Sequence, residues 1–385
     1  MRVVFFDALQ VFVDDAAGKL FSGLSCWAAP HSVRPTYESL WGGRGGAWGG
    51  EGGPFSRKGL LPLPTRFPFP FQQEVSVPKV TVIMNCYNSA EHLREAMDSV
   101  FRQSWPDWEI VFWDNCSTDD SAAIAQSYGE KVRYFLAEKT VPLGAARNLA
   151  IAKAEGSLLA FLDCDDEWLS TKLEKQVMLF NANPRLGLVS TDTEMFSEKG
   201  TLSRMFESTH PARGMVFREL MTRQWISMSS AMIRKSALDS LGEWFDESLN
   251  VCEEADVFYR IAKTWELDHV DEPLTRWRVH GVNTTFRKFG QFADETLRIL
   301  DKHRKLYPGY DRDYPDLVGI LTRRAAFQKA VTLWREGNGA EARRLVAPYV
   351  ASPKLRLFWL ASWLPGSLFD PLSQLYFKLP GFLRK

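Results

Sequence analysis

From Pro78 onward the chain alternates short apolar runs with stretches of helical periodicity. Val80-Thr81-Val82-Ile83-Met84 is a β-rich run of the kind buried in a parallel sheet. Behind it, Leu93, Ala96, Met97, Val100 and Phe101 recur at helical spacing, and Ser104-Trp105-Pro106-Asp107 ends that helix. A strand over Glu109 to Trp113, a helix around Ser121 to Tyr128 and a strand over Val132 to Phe135 follow. A helix is predicted from Leu143 to Glu155, stopped at Gly156, and then a strand over Leu158 to Leu162. Thr171 with Glu174 has the spacing of a capping box for the next helix, whose Leu173, Val177 and Phe180 share a face. This β-α-β-α order predicts a mostly parallel sheet covered on both faces, with ligands at the carboxyl ends of its strands.

The flanks differ. Over residues 1–77, Trp41 to Gly53 is mostly glycine and Leu61 to Phe71 alternates proline with apolar residues, which disfavours regular structure. A disordered extension, a misassigned start and an aromatic docking arm all fit. Beyond about residue 290 the pattern is helical, and Ala326 to Glu336 with Ala340 to Ala347, joined at Gly337-Asn338-Gly339, predicts one helical hairpin. The end, Leu355 to Leu383, is rich in Leu, Phe and Trp and broken by prolines; Lys354, Arg356, Lys378, Arg384 and Lys385 face the single acid Asp370. It suits either an anionic membrane surface or a cap on the preceding domain. The organisation read from the sequence is an extension (1–77), an α/β domain (78–290) and a helical C-terminal region (291–385).

Composition narrows the classes. Lys plus Arg and Asp plus Glu both number 47, so no global field attracts nucleic acid. The five cysteines show no CxxC or Cys/His zinc spacing, which points to free thiols in a reducing cytoplasm. No apolar run reaches a bilayer-spanning length, and Asp7 interrupts the N-terminal apolar patch early, which argues against a secretory signal.

Chemistry concentrates at the strand ends. Leu158 to Leu162 delivers Asp163-Cys164-Asp165-Asp166, and three carboxylates this close repel unless a cation answers them. Mg²⁺ or Mn²⁺ would do so and clamp a diphosphate; a solvated loop with Asp166 capping a helix is the plainer reading. Asn85-Cys86-Tyr87-Asn88 ends the first strand, and Asp114-Asn115-Cys116-Ser117-Thr118-Asp119 ends the second. Leu143-Gly144-Ala145-Ala146-Arg147-Asn148 precedes the acidic strand. Cys86, Cys116, Cys164 and Cys252 each fall inside or beside one of these motifs, either filling small slots or converging in space.

From about Pro78 to Thr285 these motifs, in order, resemble the family 2 glycosyltransferases, which share the GT-A fold. Ser229-Ser230-Ala231-Met232-Ile233, Gly242-Glu243-Trp244-Phe245-Asp246-Glu247 and Glu253-Glu254-Ala255-Asp256 extend the resemblance. It implies a nucleotide-sugar donor, a UDP-sugar favoured, and a glycan or lipid-linked acceptor in cell-surface polysaccharide synthesis. Tyr87, Asp114, Asn115 and Ser117 would line the nucleoside. Arg147 would sit near the diphosphate or order the acidic loop. Asp165 would ligate Mn²⁺ or Mg²⁺, with Asp163 on the ribose or a metal-bound water and His280 near the metal and diphosphate. Glu254 would be the base in a single inverting displacement. Many members have Asp where this chain has Asn115 and Glu254, so donor choice is less defined and Asp256 remains a rival base. A nucleotidyltransferase lacks support, because the loop after the first strand has no glycine. A non-catalytic binder is disfavoured by the intact Asp163, Asp165 and Glu254.

Overall fold

The computed structural model describes residues 80–280, 288–369 and 372. The extension 1–77 and the tail after Phe369, apart from Leu372, lie outside the described residues. β1 (Val80–Cys86), β2 (Trp108–Asp114), β3 (Val132–Leu136) and β4 (Leu158–Phe161) run parallel, with β1 between β2 and β4. Their apolar residues face alternately into two cores. Val80, Val82, Met84, Ile110, Phe112, Leu158 and Ala160 pack on one side; Ile83, Val111, Trp113, Leu159 and Phe161 pack on the other. A strand buried on both faces must be apolar at successive positions, which explains the continuous runs in the sequence.

Helices cover each face. α1 (Ala90–Phe101), α2 (Ser121–Gln126) and α4 (Lys172–Ala182) cover the first through Leu93, Met97, Val100, Ile124 and Val177. α3 (Leu143–Ile151) and α5 (Glu253–Thr264) cover the second through Ala146, Ala150, Ile151, Val257, Phe258 and Ile261. Two local expectations fail. α3 ends at Ile151 rather than Glu155, because the N–H groups of Lys153 and Ala154 reach back only three residues, tightening the chain into a turn. No capping box forms at α4: the Thr171 side chain makes no capping bond, and Glu174 instead accepts the Ser104 hydroxyl at 2.5 Å.

Beyond β4 the sheet becomes mixed. β5 (Glu167–Trp168), β6 (Leu186–Ser197), β7 (Gly200–Arg204), β8 (Met232–Arg234) and β9 (Glu266–Arg278) complete the order β3-β2-β1-β4-β8-β6-β9-β5, with β7 hairpinned on β6. β8 runs antiparallel between β4 and β6, interrupting the parallel order of β1 to β4, which resumes where β6 pairs with β9. β5 follows the acidic cluster by one residue and pairs with Arg276 and Thr275, bringing the end of β9 beside that cluster.

The C-terminal helices are α6 (Phe292–Leu306), α7 (Pro315–Arg335), α8 (Gly339–Val346) and α9 (Pro353–Ala361). Ile299, Leu300, Leu317, Ile320 and Leu321 share one core with Phe217, Leu220, Val257 and Phe258, so the core runs unbroken across residues 290–291. A separate cluster holds the hairpin: Trp334 takes Phe358 and Phe369 edge-on at 5.4 and 5.1 Å, and its indole donates to Leu364 O at 2.8 Å. Through Phe369 the tail is therefore a cap on α7 and α8, while Leu357, Leu360, Trp363 and Leu364 remain exposed. Trp334→Ala is expected to destabilise this cluster by about 3–5 kcal/mol. Hydrogen exchange should speed up in α8 and α9 while β1 to β4 keep their protection.

Candidate active site

The carboxyl ends of β1, β2 and β4 share one edge, and the chain leaves that edge on both sides of β1. The first two loops are zipped together by side-chain to backbone bonds. The Asn88 N–H donates to Ser117 Oγ at 3.0 Å, and the Thr118 N–H donates to Asn88 Oδ1 at 2.7 Å. Asp119 accepts the N–H groups of Ala90 and Ser121 at 3.0 Å each. Asn88 and Cys116 hold positive φ angles of 51° and 67°, the tight conformation this zipper requires. Tyr87 projects from it at 55% exposure. Asp114 is fully buried; one oxygen accepts the Ser117 N–H and the other the Tyr134 hydroxyl, both at 2.7 Å. The Asn115 amide is engaged on both sides by Val141, donating to its carbonyl at 2.8 Å and accepting its N–H at 3.1 Å. Asp114 and Asn115 therefore brace the β2 loop from beneath, and Tyr87 and Ser117 lie nearer solvent.

The acidic loop is pinned from two strands. Asp166, which the plainer sequence reading made a helix cap, is instead buried: it accepts the Ser229 hydroxyl at 2.6 Å and the Arg278 N–H at 3.0 Å. Burial and the neighbouring Asp165 and Asp163 push its carboxyl well above the usual range. Arg278 also donates to the Asp165 carbonyl at 2.9 Å and to Glu167 at 2.6 Å. With the loop tied this way, Asp163 is 46% exposed, and Asp165 Oδ2 lies 2.8 Å from His280 Nε2.

Arg147 joins this loop to the second acidic motif. It is buried, and its guanidinium bonds Glu253, lies 3.5 Å from both Asp163 and Glu254, and sits over the Phe245 ring at 5.5 Å. The positioning comes from one face of α3. Gly144 has no Cβ because Asp246 O would lie 2.9 Å from it, and Asn148 exchanges two bonds with the Phe245 backbone at 2.9 and 3.0 Å. Gly144, Arg147 and Asn148 fall at i, i+3 and i+4, so the Ala-Arg-Asn helix docks as a unit on residues 245 to 254. Glu254, one-third exposed, is pushed up to about 8 by burial and by the charges of Glu253 and Asp163, against the pull of Arg147. Asp163 rises to about 6, chiefly through burial, with Arg147 opposing. Asp256 is placed differently: it is fully buried and bound by Arg260 at 2.8 Å and Lys302 at 3.1 Å.

Two side chains without any sequence signal complete the site from α6. Glu295 accepts the N–H groups of Asn250, Val251 and Cys252 at 2.9, 2.9 and 3.0 Å, fixing the loop that delivers Glu253 and Glu254. Lys302 ties Asp246 at 2.9 Å to Asp256. Neither could be found from spacing, since each meets its partners across more than forty residues. Ser229 and Arg278 were visible only as neighbours of motifs.

The thiols separate into two groups. Cys86 and Cys164 meet in the core on the α1 side, while Cys116 and Cys252 belong to the other core. The four described cysteines are all free. A hydrogen bond from Cys164 holds the Cys86 thiol down at about 7 against its burial.

The donors at the loop can hold a hard divalent cation. Two ligands at right angles on a Mg²⁺-sized ion lie about 3.0 Å apart, close to the separation of Asp165 Oδ2 and His280 Nε2. No cluster of three or more His, Cys, Asp or Glu donors occurs among the described residues. Ions of this kind complete their shell with water and substrate phosphate.

Residues 81–242 match the family described as Glycosyl transferase family 2. A putative teichuronic acid biosynthesis glycosyltransferase, TuaG of Bacillus subtilis, is 40% identical over 103 residues, covering 26% of this chain. The chain spans only 41% of that relative's length. An uncharacterized glycosyltransferase of Rickettsia typhi is 26% identical over 257 residues, covering 62% of this chain and 73% of its own. The Pyrobaculum calidifontis mannosyltransferase PcManGT, solved with GDP-Man and Mn²⁺, superposes with TM-score 0.54 at 18% identity, over 79% of this chain and 84% of its own. Over residues 81–242 the chain thus matches glycosyl transferase family 2, and its fold is GT-A.

Arg147→Ala leaves Glu253 buried without its cation and is expected to cost about 3–5 kcal/mol in denaturant unfolding. Replacing both Arg147 and Glu253 by Met should recover most of that loss. For Glu254, the folded state keeps a proton between the ordinary value of 4.5 and about 8 that the unfolded chain has released. Its contribution to stability therefore falls as pH rises through that window. In metal-free buffer, Glu254→Gln should melt higher than the parent protein by more at about pH 9 than at about pH 5.

Proposed function

We propose that this chain is an inverting, divalent-metal-dependent glycosyltransferase. It transfers a sugar from a nucleotide-sugar, with a UDP-sugar favoured, to a hydroxyl of a glycan or lipid-linked acceptor in cell-surface polysaccharide synthesis. The observation that carries the reading is the pairing of two unlike carboxylate sites on one buried arginine: Asp163 of the acidic loop and Glu254 of α5 both lie 3.5 Å from Arg147. One site suits a cation and diphosphate; the other suits a base.

Glu254 is the base in this scheme. Its oxygen takes the acceptor's proton, the freed oxygen attacks the anomeric carbon, and the bond to the diphosphate breaks on the opposite side. A carboxyl held near 8 is a stronger base than an ordinary Glu, at the cost of being mostly protonated at neutral pH. Asp256 is the weaker candidate, because Arg260 and Lys302 hold it away from solvent. Asp165 and His280, with Asp163, would hold Mn²⁺ or Mg²⁺, which neutralises charge on the departing nucleoside diphosphate. Tyr87 offers a ring to the base, and Asp114, Asn115 and Ser117 define the nucleoside edge. No helix among the described residues is long and apolar enough to cross a membrane. The exposed Leu357, Leu360, Trp363 and Leu364, with Arg356 exposed on the same helix, support peripheral contact with an anionic membrane at its cytoplasmic face.

Thermal-shift screening of nucleotide-sugars with and without Mn²⁺ tests the reading. A UDP-sugar at a hundredfold excess over Kd should stabilise the protein by about 2.7 kcal/mol, and only with metal present. Asp165→Ala should abolish that shift, and Glu254→Gln should keep it while lowering transfer about 10²–10⁴-fold. A shift that survives chelation and Asp165→Ala alike would rule the scheme out.

A further inference from the structure

Beneath the donor edge lies a pair of buried thiols that the transfer reaction does not use. β1 and β4 are neighbouring parallel strands, with Ile83 opposite Phe161. Beyond that pair the Leu162 N–H still donates to Ile83 O at 3.1 Å, and the chain then turns so that Cys164 lies beside the end of β1. The contacts agree. The Cys164 thiol donates to Asn85 O at 3.4 Å, beside Cys86, and both cysteines pack in the same core. Cys164 stands between Asp163 and Asp165, and Cys86 immediately precedes Tyr87. The thiols thus connect the two loops that form the edge. On the open side, Cys86 Sγ lies 3.8 Å from the hydroxyl of Ser117, a partly exposed residue of the β2 loop.

We propose that Cys86 and Cys164 form a reversible disulfide under peroxide, and that this modification switches off nucleotide binding at the edge above. The switching half rests on the nucleotide-site reading given under the proposed function. In the first step the Cys86 thiolate attacks one oxygen of hydrogen peroxide. The O–O bond breaks, and the departing hydroxide takes up the thiol's proton as water, leaving Cys86 as a sulfenic acid. The Cys164 sulfur then attacks the Cys86 sulfur; the S–O bond breaks, and the hydroxide leaves as a second water with the Cys164 proton. Two thiols and one peroxide give one disulfide and two waters, and a dithiol reductant reverses the change. Closing the sulfurs to a bond of about 2.05 Å draws the acidic turn toward the end of β1. It also removes the Cys164 bond to Asn85 O. Asp163 and Asp165 flank the bridged residue, so both carboxylates move relative to Arg147 and His280.

The test uses the reduced full-length chain, treated with graded hydrogen peroxide, alkylated and digested for peptide mass spectrometry. A linked Cys86–Cys164 peptide should appear, disappear on dithiothreitol treatment, and track the loss of the UDP-sugar and Mn²⁺ thermal shift. Cys86→Ala and Cys164→Ala, made separately, should keep the shift after peroxide. The proposal fails if no Cys86–Cys164 peptide forms, or if both variants lose the shift at the same peroxide dose as the parent. Absence of any nucleotide shift in the reduced protein would refute the donor-site reading and the switching half with it, while the peptide map still decides the disulfide.

Discussion

The site depends on one buried cation. Arg147 lies in an apolar wall between Phe245 and the acidic groups, and its burial is stable only because Glu253, Asp163 and Glu254 answer its charge. A buried guanidinium cannot relax into water, so its donors fix the distance between the acidic loop and α5. The constraint also runs the other way. Glu253, with Arg147, neutralises the centre, while its charge helps to keep Glu254 protonated near neutrality. The same ion cluster thus supplies rigidity and a carboxyl tuned toward base chemistry.

That arginine is held by packing on both sides. On one, Gly144 and Asn148 seat α3 directly on the backbone of residues 245 and 246. On the other, α6 reaches in with Glu295 and Lys302, so the helical C-terminal region forms part of the active-site wall. The shared core of Ile299, Leu300 and Leu317 with Val257 and Phe258 gives those polar reaches a fixed origin. Farther along, the Trp334 cluster is separate, and a cap there can vary without moving the acidic loop.

The acidic loop illustrates a second economy of parts. Three adjacent carboxylates have three environments: Asp163 on Arg147, Asp165 beside His280, and Asp166 buried on Ser229 and Arg278. Asp166 organises the turn, which leaves Asp163 and Asp165 exposed enough to meet a ligand. Below the turn the Cys164 thiol bonds Asn85 O and joins the turn to the end of the first strand.

The amino-acid pattern was enough to read β1 to β4, the helices between them and the three loops that carry polar motifs. Burial on both faces forces apolar runs, and helix packing forces the three-to-four-residue spacing, so these patterns are local. The acidic cluster was legible from its place at a strand end, and Arg147 and the Glu253 to Asp256 segment from their resemblance to family motifs. Tertiary structure alone decided which acids do what. Glu254 differs from Asp256, and Asp165 from Asp166, only through partners such as Lys302, Ser229 and His280 that lie far away in the chain. It also decided the antiparallel insertion of β8, the fate of Glu174, and the meeting of Cys86 with Cys164. Electrostatic environment and strand register are set by what folds alongside a residue, and neither is written in the spacing around it.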